Sequence, residues 1–214
     1  MNGKTFLSLI FFTVLVVSSL HAQRFYGGVM GGFNGSQVEG DMAYGYHKLG
    51  GVLGTWVATD LGEQLFASME VKYSEKGSRI IPSKKNDYWK YIYRLNYAEL
   101  PLLLGYRYNE NASLFAGFSF NYLIYRYGED NWGVDPEFFD LELNKVDYEF
   151  LMGVRASFDL LVDKDWARRT QLDFRWQHSI VPFYYFGKAA RYIDTGQFNN
   201  LFSTTLLYRI EWDI

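Results

Sequence analysis

The sequence predicts an all-β fold, an eight-stranded antiparallel up-and-down transmembrane β-barrel with short periplasmic turns and longer extracellular loops. Three observations predict it. Apolar and polar side chains alternate with a period of two over long segments, and the connectors between these segments alternate in length. Aromatic residues and glycine dominate the composition, with 18 Tyr, 18 Phe, 6 Trp and 20 Gly in 214 residues. Tyr and Trp concentrate on surfaces where one side is apolar and the other is wet.

The composition also excludes several classes of protein. The absence of Cys excludes a disulfide scaffold, a thiolate metal site, a Cys nucleophile and a lipid-modified N-terminal Cys. The formal net charge of -3 provides no basic field. Nucleic acid is therefore not an expected partner, because its recognition depends on neutralising phosphates.

The first 22 residues read as a cleaved secretory signal peptide. Lys4 supplies the positive n-region, an apolar run of 12 residues covers 6–17, and Ala22 ends a small-residue c-region. A spanning helix needs about 20 apolar residues, so this run is too short for an anchor. We expect residues 23–214 to form one outer-membrane barrel domain.

The alternating segments define the strands. In the clearest one, residues 65–73, Met69 and Val71 lie on one face while Glu70 and Lys72 lie on the other. Bilayer-crossing strands need about 9–11 residues, whereas ordinary strands average about 5–6. The eight predicted strands cover residues 24–36, 48–59, 65–73, 91–107, 114–124, 146–160, 172–180 and 202–212.

The connectors supply an independent test of this topology. The short connectors are residues 60–63, 108–111 and 161–169, and the long ones are residues 37–47, 80–90, 126–145 and 181–199. Outer-membrane barrels alternate short periplasmic turns with long outer loops in this way. Pro101 falls inside a predicted strand, and because it cannot donate to the ladder we expect a β-bulge there.

The charged residues decide which face points inward. An Arg near the midplane of the lipid face costs about 2–4 kcal/mol, so the charges should face the lumen. Eight strands leave room only for side chains, which predicts a plugged barrel. Trp56 and Tyr73 are candidates for interfacial or lipid-facing positions. The predicted interior charge network consists of Glu70, Lys72, Arg94, Glu149, Arg155, Asp173, Arg175 and Arg209.

Four segments resemble the PorT-like outer-membrane β-barrel family of Gram-negative bacteria. They are Gly27 to Asn34, Glu70 to Gly77, Leu95 to Leu104, which holds a Tyr-x-Glu-x-Pro-Leu-Leu pattern, and Gly117 to Leu123. The resemblance implies an eight-stranded barrel in the outer membrane with no enzymatic activity. A place in a larger outer-membrane complex is expected on other grounds, namely the interior charge network and the absence of a catalytic set.

Three functions follow as hypotheses. The first is a non-enzymatic structural or interaction component of the cell envelope, and the alternatives are a lipid-modifying enzyme and a narrow channel. His178 and Ser179 are adjacent in a predicted strand and point to opposite faces, so they cannot form a nucleophile–base pair. No catalytic residue, metal site or cofactor is predicted.

Recognition is expected in the outer loops. The longest of them, residues 126–145, is acidic with aromatic anchors, and it contains the candidate binding residues. They are Trp132, Phe138, Phe139, Glu129 and Asp130. The expected partners are outer-membrane lipid or lipopolysaccharide and other envelope proteins. The competing interpretation is a solvated loop whose aromatic residues pack on the barrel rim.

Overall fold

The computed structural model describes residues 25–41, 43–134, 142–185 and 196–210, which form an antiparallel β-barrel. The predicted signal peptide lies outside the described residues. No helix among them is long and apolar enough to cross a bilayer. The strands are β1 Phe25–Glu39, β2 Lys48–Asp60, β3 Leu65–Ile80, β4 Tyr91–Arg107, β5 Ala112–Asp130, β6 Gly133–Val134, β7 Val146–Ser157, β8 Thr170–Ser179, β9 Tyr184–Tyr185 and β10 Gly196–Ile210.

Eight long strands form a closed ring. Consecutive long strands pair antiparallel in chain order, and β1 pairs with β10 to close the sheet. The two-residue strands β6 and β9 extend β5 and β10 outside this ring. Closure leaves no free edge in the ring, which is the condition for a sheet to cross a bilayer. The predicted up-and-down eight-stranded fold is confirmed.

The third turn corrects one part of the predicted wiring. Residues 61–64 and 108–111 are tight turns, but the connector between β7 and β8 covers residues 158–169 and contains a 3-10 turn, Phe158–Leu160, and a helical turn, Asp165–Arg168. Strand β7 ends at Ser157, three residues before the predicted end. Phe158 and Leu160 continue the apolar–polar alternation of the sequence, although they lie in the turn and form no part of the hydrogen-bonded ladder. The predicted strand therefore ended too late.

The outer wall carries an apolar belt on every long strand. Outward residues of β3 and β4, including Met69, Val71 and Leu102, are exposed, while their neighbours Glu70 and Lys72 are buried. The belt is also formed by Phe33, Leu53, Leu104, Leu114, Phe118, Phe120, Val154, Phe174 and Leu206. Exposing so many apolar side chains to water would be energetically unfavourable, whereas lipid acyl chains solvate them well.

Several strands extend further toward the extracellular side than predicted. Strand β3 continues to Ile80 and pairs with β4 throughout its upper part, although the predicted strand ended at Tyr73. Above the membrane, outward positions need not be apolar. The apolar–polar alternation therefore stops at the top of the belt while the hydrogen-bonded ladder continues.

The predicted bulge at Pro101 is wrong. The β3–β4 register is the same on both sides of Pro101, where the pairing is merely interrupted. The irregularity lies between Asn96 and Tyr97, where Ile124 of β5 is the extra residue. A missing N–H removes one ladder bond without requiring an inserted residue. Beyond this bulge the outward parity of β5 changes, so that Tyr127 faces outward.

Trp56 also departs from its predicted place. It lies in the lumen, buried with Met30, Ala58 and Leu207, and its indole N–H donates to the carbonyl oxygen of Val29 at 3.3 Å. Tyr73 stays on the outer wall. The inward residues of β2 are the even-numbered ones, so Trp56 shares the lumen face with buried Val52 and Ala58.

Candidate functional site

An arginine–carboxylate cluster fills part of the lumen. Arg175 binds Glu70 with two parallel hydrogen bonds of 2.8 and 3.0 Å, and it also contacts Asp173 at 2.7 and 2.8 Å. Arg155 donates to the same Asp173 at 2.9 and 3.1 Å. Both guanidinium groups lie 5.1 Å from the ring centre of Phe115. These bidentate and stacked contacts exploit the planar fork that Lys lacks.

A lysine–glutamate cluster lies beside it. Glu99 forms ion pairs with Lys72 at 3.0 Å and with Lys76 at 2.6 Å. Lys76 also contacts Glu149 at 2.5 Å. Gln177 joins the two ends, because it accepts from Lys72 at 3.1 Å and donates to Glu149 at 2.9 Å. All of these side chains are buried, so removing one would leave its partners charged and unpaired.

The polar network ends at Asp147. Ser179 and Asn199 donate to one carboxylate oxygen of Asp147 at 3.0 and 2.9 Å. Asn199 also donates to the hydroxyl of Tyr97 at 3.2 Å. Tyr97 in turn lies under Lys76, whose Nζ is 4.9 Å from the ring centre. Asp147, Asn199 and Tyr97 thus connect the lysine cluster to the extracellular end of the lumen.

Apolar clusters close the lumen at both ends. At the extracellular end, Tyr93, Leu95 and Tyr97 pack with Phe183 from the loop after β8. At the periplasmic side, Phe66 and Phe115 pack with Leu103 and Leu151. The charged residues between these clusters are all buried, and those with no exposed surface include Lys76 and Arg175. The described lumen is therefore filled by side chains and does not form an aqueous path.

The structure places the predicted charge network as follows. Six of its members are buried in the lumen, namely Glu70, Lys72, Glu149, Arg155, Asp173 and Arg175. Arg94 was expected there and instead lies exposed on the outer wall of β4, over the ring of Tyr127. Arg209 has inward parity but lies exposed at the periplasmic rim. Above and below the hydrocarbon, water can solvate a charge on either face.

Two residues of the network were missed by the sequence analysis. Lys76 and Glu99 make the shortest contacts in the lysine cluster, and both lie inside segments that carry the family resemblance. Extending the period-two pattern of β3 three residues beyond Tyr73 puts Lys76 on the same face as Lys72. The Tyr-x-Glu-x-Pro pattern likewise places Tyr97 and Glu99 together in the lumen.

The backbone conformation at position 77 requires a glycine. Its φ is +130°, a region that L side chains rarely adopt, and a Cβ would lie 1.9 Å from the carbonyl oxygen of Tyr93. A side chain at this position would strain the backbone and clash with β4. The Lys76-Gly77 end of the segment Glu70 to Gly77 therefore combines a buried charge with the close approach of two strands.

A second polar and aromatic site lies at the extracellular tip. Trp132 is 81% exposed, and its ring packs edge-on against Trp89 at 4.9 Å. Lys90 forms an ion pair with Glu129, and Tyr127 donates to the same carboxylate at 2.9 Å. The hydrogen bonds from Lys90 and Tyr127 hold the pKa of Glu129 below its ordinary value. We call this group of four residues from two loops the aromatic tip; it consists of Trp89, Lys90, Glu129 and Trp132.

The backbone fixes the aromatic tip in place. Asp87 and Tyr88 both adopt positive φ angles, 51° and 57°. Asp130 accepts a hydrogen bond from the backbone N–H of Trp132 at 2.7 Å. Non-glycine residues at positive φ are uncommon and persist where surrounding contacts hold them. Of the predicted binding residues, Phe138 and Phe139 lie outside the described residues.

His178 and Ser179 take part in separate contacts. Nε2 of His178 lies 3.2 Å from Glu39 on the outer wall, and Nδ1 lies 2.6 Å from the carbonyl oxygen of Ser179. The Ser179 hydroxyl donates into the lumen, to Asp147. The side chains do not form a nucleophile–base pair. Among the described residues, no group of three or more His, Cys, Asp or Glu is arranged to hold a metal ion.

Residues 20–183 match the family described as "Outer membrane protein beta-barrel domain". The chain belongs to this outer-membrane β-barrel family. Membership places it in the outer membrane and agrees with the closed ring and its apolar belt. Among curated proteins, none matches the chain significantly.

Two solved outer-membrane barrels resemble the chain. Neisserial surface protein A (NspA) has a TM-score of 0.50 and 11% identity, and the match covers 89% of this chain and 100% of that one. The attachment invasion locus protein Ail of Yersinia pestis, solved with the heparin analogue sucrose octasulfate, has a TM-score of 0.47 and 11% identity, with 87% and 99% coverage. At this identity the likeness to NspA concerns the fold alone.

Proposed function

We propose that this chain is a non-enzymatic interaction component of the Gram-negative cell envelope, exported by its N-terminal signal peptide. In this role the barrel anchors the protein, and the aromatic tip contacts a protein partner within a larger outer-membrane complex. The observation that carries the proposal is the filled lumen. A barrel that transports nothing through its interior must act through its surfaces.

The lumen favours an anchor over a narrow channel. Channels need a wetted path, whereas the side chains of Glu70, Lys76 and Arg175 have no exposed surface. Arg175 pairs with Glu70, and Lys76 pairs with Glu149. Opening a path would separate these ion pairs. It would also displace the apolar cluster around Tyr93 and Phe183. Both changes cost stability, so the filled state is favoured.

The geometry around His178 favours a non-enzymatic role over lipid modification. The imidazole contacts Glu39 and a backbone carbonyl, whereas the Ser179 hydroxyl donates a hydrogen bond to Asp147 on the opposite face of the sheet. A nucleophile and its base must be within hydrogen-bond reach of each other. His178 and Ser179 therefore have a structural role, each through its own carboxylate partner.

The aromatic tip has the composition of a protein contact. Trp and Tyr dominate binding hot spots, and Trp132 and Tyr88 are both exposed on a backbone held by Asp130 and Asn86. Asn131 accepts from the backbone N–H of Lys90 at 2.6 Å, which ties the two loops together. A preorganised aromatic surface loses little conformational entropy on binding.

Site-specific photocrosslinking in the native outer membrane tests this role. A benzophenone amino acid replaces Trp132 in one variant and Leu161, which is equally exposed in the opposite, periplasmic turn, in the control. The proposal predicts a discrete adduct with one envelope protein from position 132 and none of that adduct from position 161. The charge-neutral variant Glu129→Gln should weaken the adduct by loosening the tip.

Two outcomes would contradict the proposal. Equal adducts from both positions would show that the tip has no special role. A folded, heat-modifiable barrel that forms no adduct from position 132 would remove the interaction. The PorT-like subgroup is part of the same proposal, and it is supported by Lys76 and Glu99, which lie in the family-like segments and pair in the lumen.

A further inference from the structure

The outer wall above the apolar belt carries two arginines that face away from the barrel. Arg94 of β4 and Arg79 of β3 are both exposed. Arg94 pairs with Gly77, and Arg79 pairs with Ile92, so the arginines are diagonal neighbours on one face. Long side chains at diagonal positions reach one another across a sheet. Two guanidinium groups can therefore approach the same ligand.

The arginines lie at the height of the lipid headgroups. Ala98, Tyr73 and Tyr122 form a register row at the top of the apolar belt. Arg94 is four residues above Ala98, which corresponds to about 13 Å along the strand and about 10 Å above that row for a strand tilted by about 40°. This places the guanidinium beyond the hydrocarbon, beside the headgroups of the outer leaflet.

The arginines of this wall, Arg79 and Arg94, have no direct ion pair among the described residues. Arg94 contacts the ring of Tyr127 at 5.6 Å. Glu129 interacts electrostatically with Arg94, but only at longer range than with its direct donors. Glu75 accepts from the hydroxyl of Tyr73 at 3.1 Å and from a backbone N–H, and Glu129 accepts from Lys90 and Tyr127.

A buried lysine lies on the inner side of this wall. The charged group that acts most strongly on Lys48 is Glu75, ahead of Arg94 and Arg79, and the Nζ of Lys48 donates to the carbonyl oxygen of Leu49 at 2.9 Å. On the outer wall itself, the three cations Arg79, Lys90 and Arg94 stand against the two carboxylates Glu75 and Glu129, an excess of one positive charge. An anion on the outer wall would balance this excess.

The wall on the other side of the barrel behaves differently. On its outward face, Asn200 donates to Glu39 at 2.5 Å and accepts from Tyr46 and Trp176. His178 contacts the same Glu39. Polar groups there satisfy one another within the protein. Only the β3–β4 wall, among the described residues, presents arginines toward the headgroup layer without a direct ion pair.

We infer that Arg79 and Arg94 form a binding site for the phosphate of an outer-leaflet glycolipid. Arginine binds phosphate oxygens with two parallel hydrogen bonds and is more weakly hydrated than Lys, which suits a partly dry interface. Tyr127 stacks beneath Arg94 and limits the orientations of its guanidinium. Basic residues beside membrane-spanning elements attract anionic headgroups in the same way. The site fixes the rotation and depth of the barrel in the outer leaflet.

Native mass spectrometry of the folded full-length protein tests this inference. The probe is diphosphoryl lipid A in a zwitterionic detergent, with dephosphorylated lipid A and inorganic phosphate as separate arms. The wild type should bind diphosphoryl lipid A, and the double variant Arg79→Gln/Arg94→Gln should bind it about tenfold more weakly. Arg94→Lys, which retains the charge without the fork, should fall between them.

The matched control is Arg209→Gln. It removes one positive charge from an equally exposed arginine at the opposite rim and should leave lipid binding unchanged. Equal binding by the wild type and the double variant would overturn the inference, as would equal affinity for the dephosphorylated lipid. Competition by low concentrations of inorganic phosphate would assign the site to free phosphate and overturn the lipid assignment. Heat-modifiable mobility verifies that each variant is folded.

Discussion

Arg175 and Arg94 are the same type of side chain in two different surroundings of one sheet. Arg175 points into the lumen, has no exposed surface and binds two carboxylates. Arg94 points outward, is exposed, and stacks on Tyr127. The difference teaches that charge placement in a barrel depends on height as well as on face. Within the hydrocarbon a charge must be internal and paired, whereas at the headgroup layer it can face outward.

The largest effect is expected from breaking the buried side of this comparison. Arg175→Met leaves Glu70 and Asp173 without their bidentate partner, and removing one member of a buried ion pair costs about 3–5 kcal/mol. Urea unfolding of the protein in lipid vesicles, followed by Trp fluorescence, measures this loss. Arg175→Lys keeps the charge and should cost less. Equal costs for both variants would show that the fork geometry is unimportant.

A double-mutant cycle on Lys76 and Glu99 should give the next largest effect. Each of Lys76→Met and Glu99→Leu strands a buried partner, so each single variant is strongly destabilised. Because the double variant removes both charges, its cost should fall below the sum by about 1–3 kcal/mol. The same unfolding measurement gives the coupling energy. Strict additivity would contradict the direct pair.

The aromatic tip should have a smaller effect on stability. Trp132→Ala removes one edge-on aromatic pair, which is worth about 0.5–1.5 kcal/mol, and leaves the barrel unchanged. Near-ultraviolet circular dichroism should lose the coupled signal of Trp89 and Trp132, while far-ultraviolet spectra stay the same. Trp166→Ala, which alters an exposed indole in the periplasmic turn, is the control. A spectral loss of equal form in both variants would argue against a rigid tip.

The outer-wall arginine should affect stability least. Arg94→Gln removes an exposed charge that has no ion pair among the described residues, and such surface changes usually stay within about 0.5 kcal/mol. Unfolding in vesicles of zwitterionic lipid should therefore match the wild type. A cost as large as that of Arg175→Met would show that Arg94 has a structural partner and would remove the contrast between the two arginines.

Much of the fold was predictable because the bilayer imposes a simple pattern. Within the belt, every lumen residue of β3 from Phe66 to Lys72 follows the period of two. Arg94 also keeps this period, but the assignment of its face from its charge failed, because that assignment carries no information about where the hydrocarbon ends. The assignment of a face also failed for Trp56, since an aromatic side chain is acceptable on both faces of a barrel.

The details of the candidate sites were less predictable. That Glu70 and Arg175 are both internal follows from parity, but their pairing depends on β3 and β8, strands that are not adjacent, meeting across the lumen. The pairing of Trp89 with Trp132 depends on two loops approaching one another. Both are contacts of long sequence separation, and a local pattern does not specify them.

Planar-bilayer recording of the folded protein tests the filled lumen most directly. The ion pairs of Lys76 and Arg175 and the apolar cluster around Tyr93 and Phe183 predict a steady baseline with no unitary current steps at either polarity. Reproducible current steps that require the folded protein would contradict a filled lumen. They would return the narrow channel to first place among the possible functions.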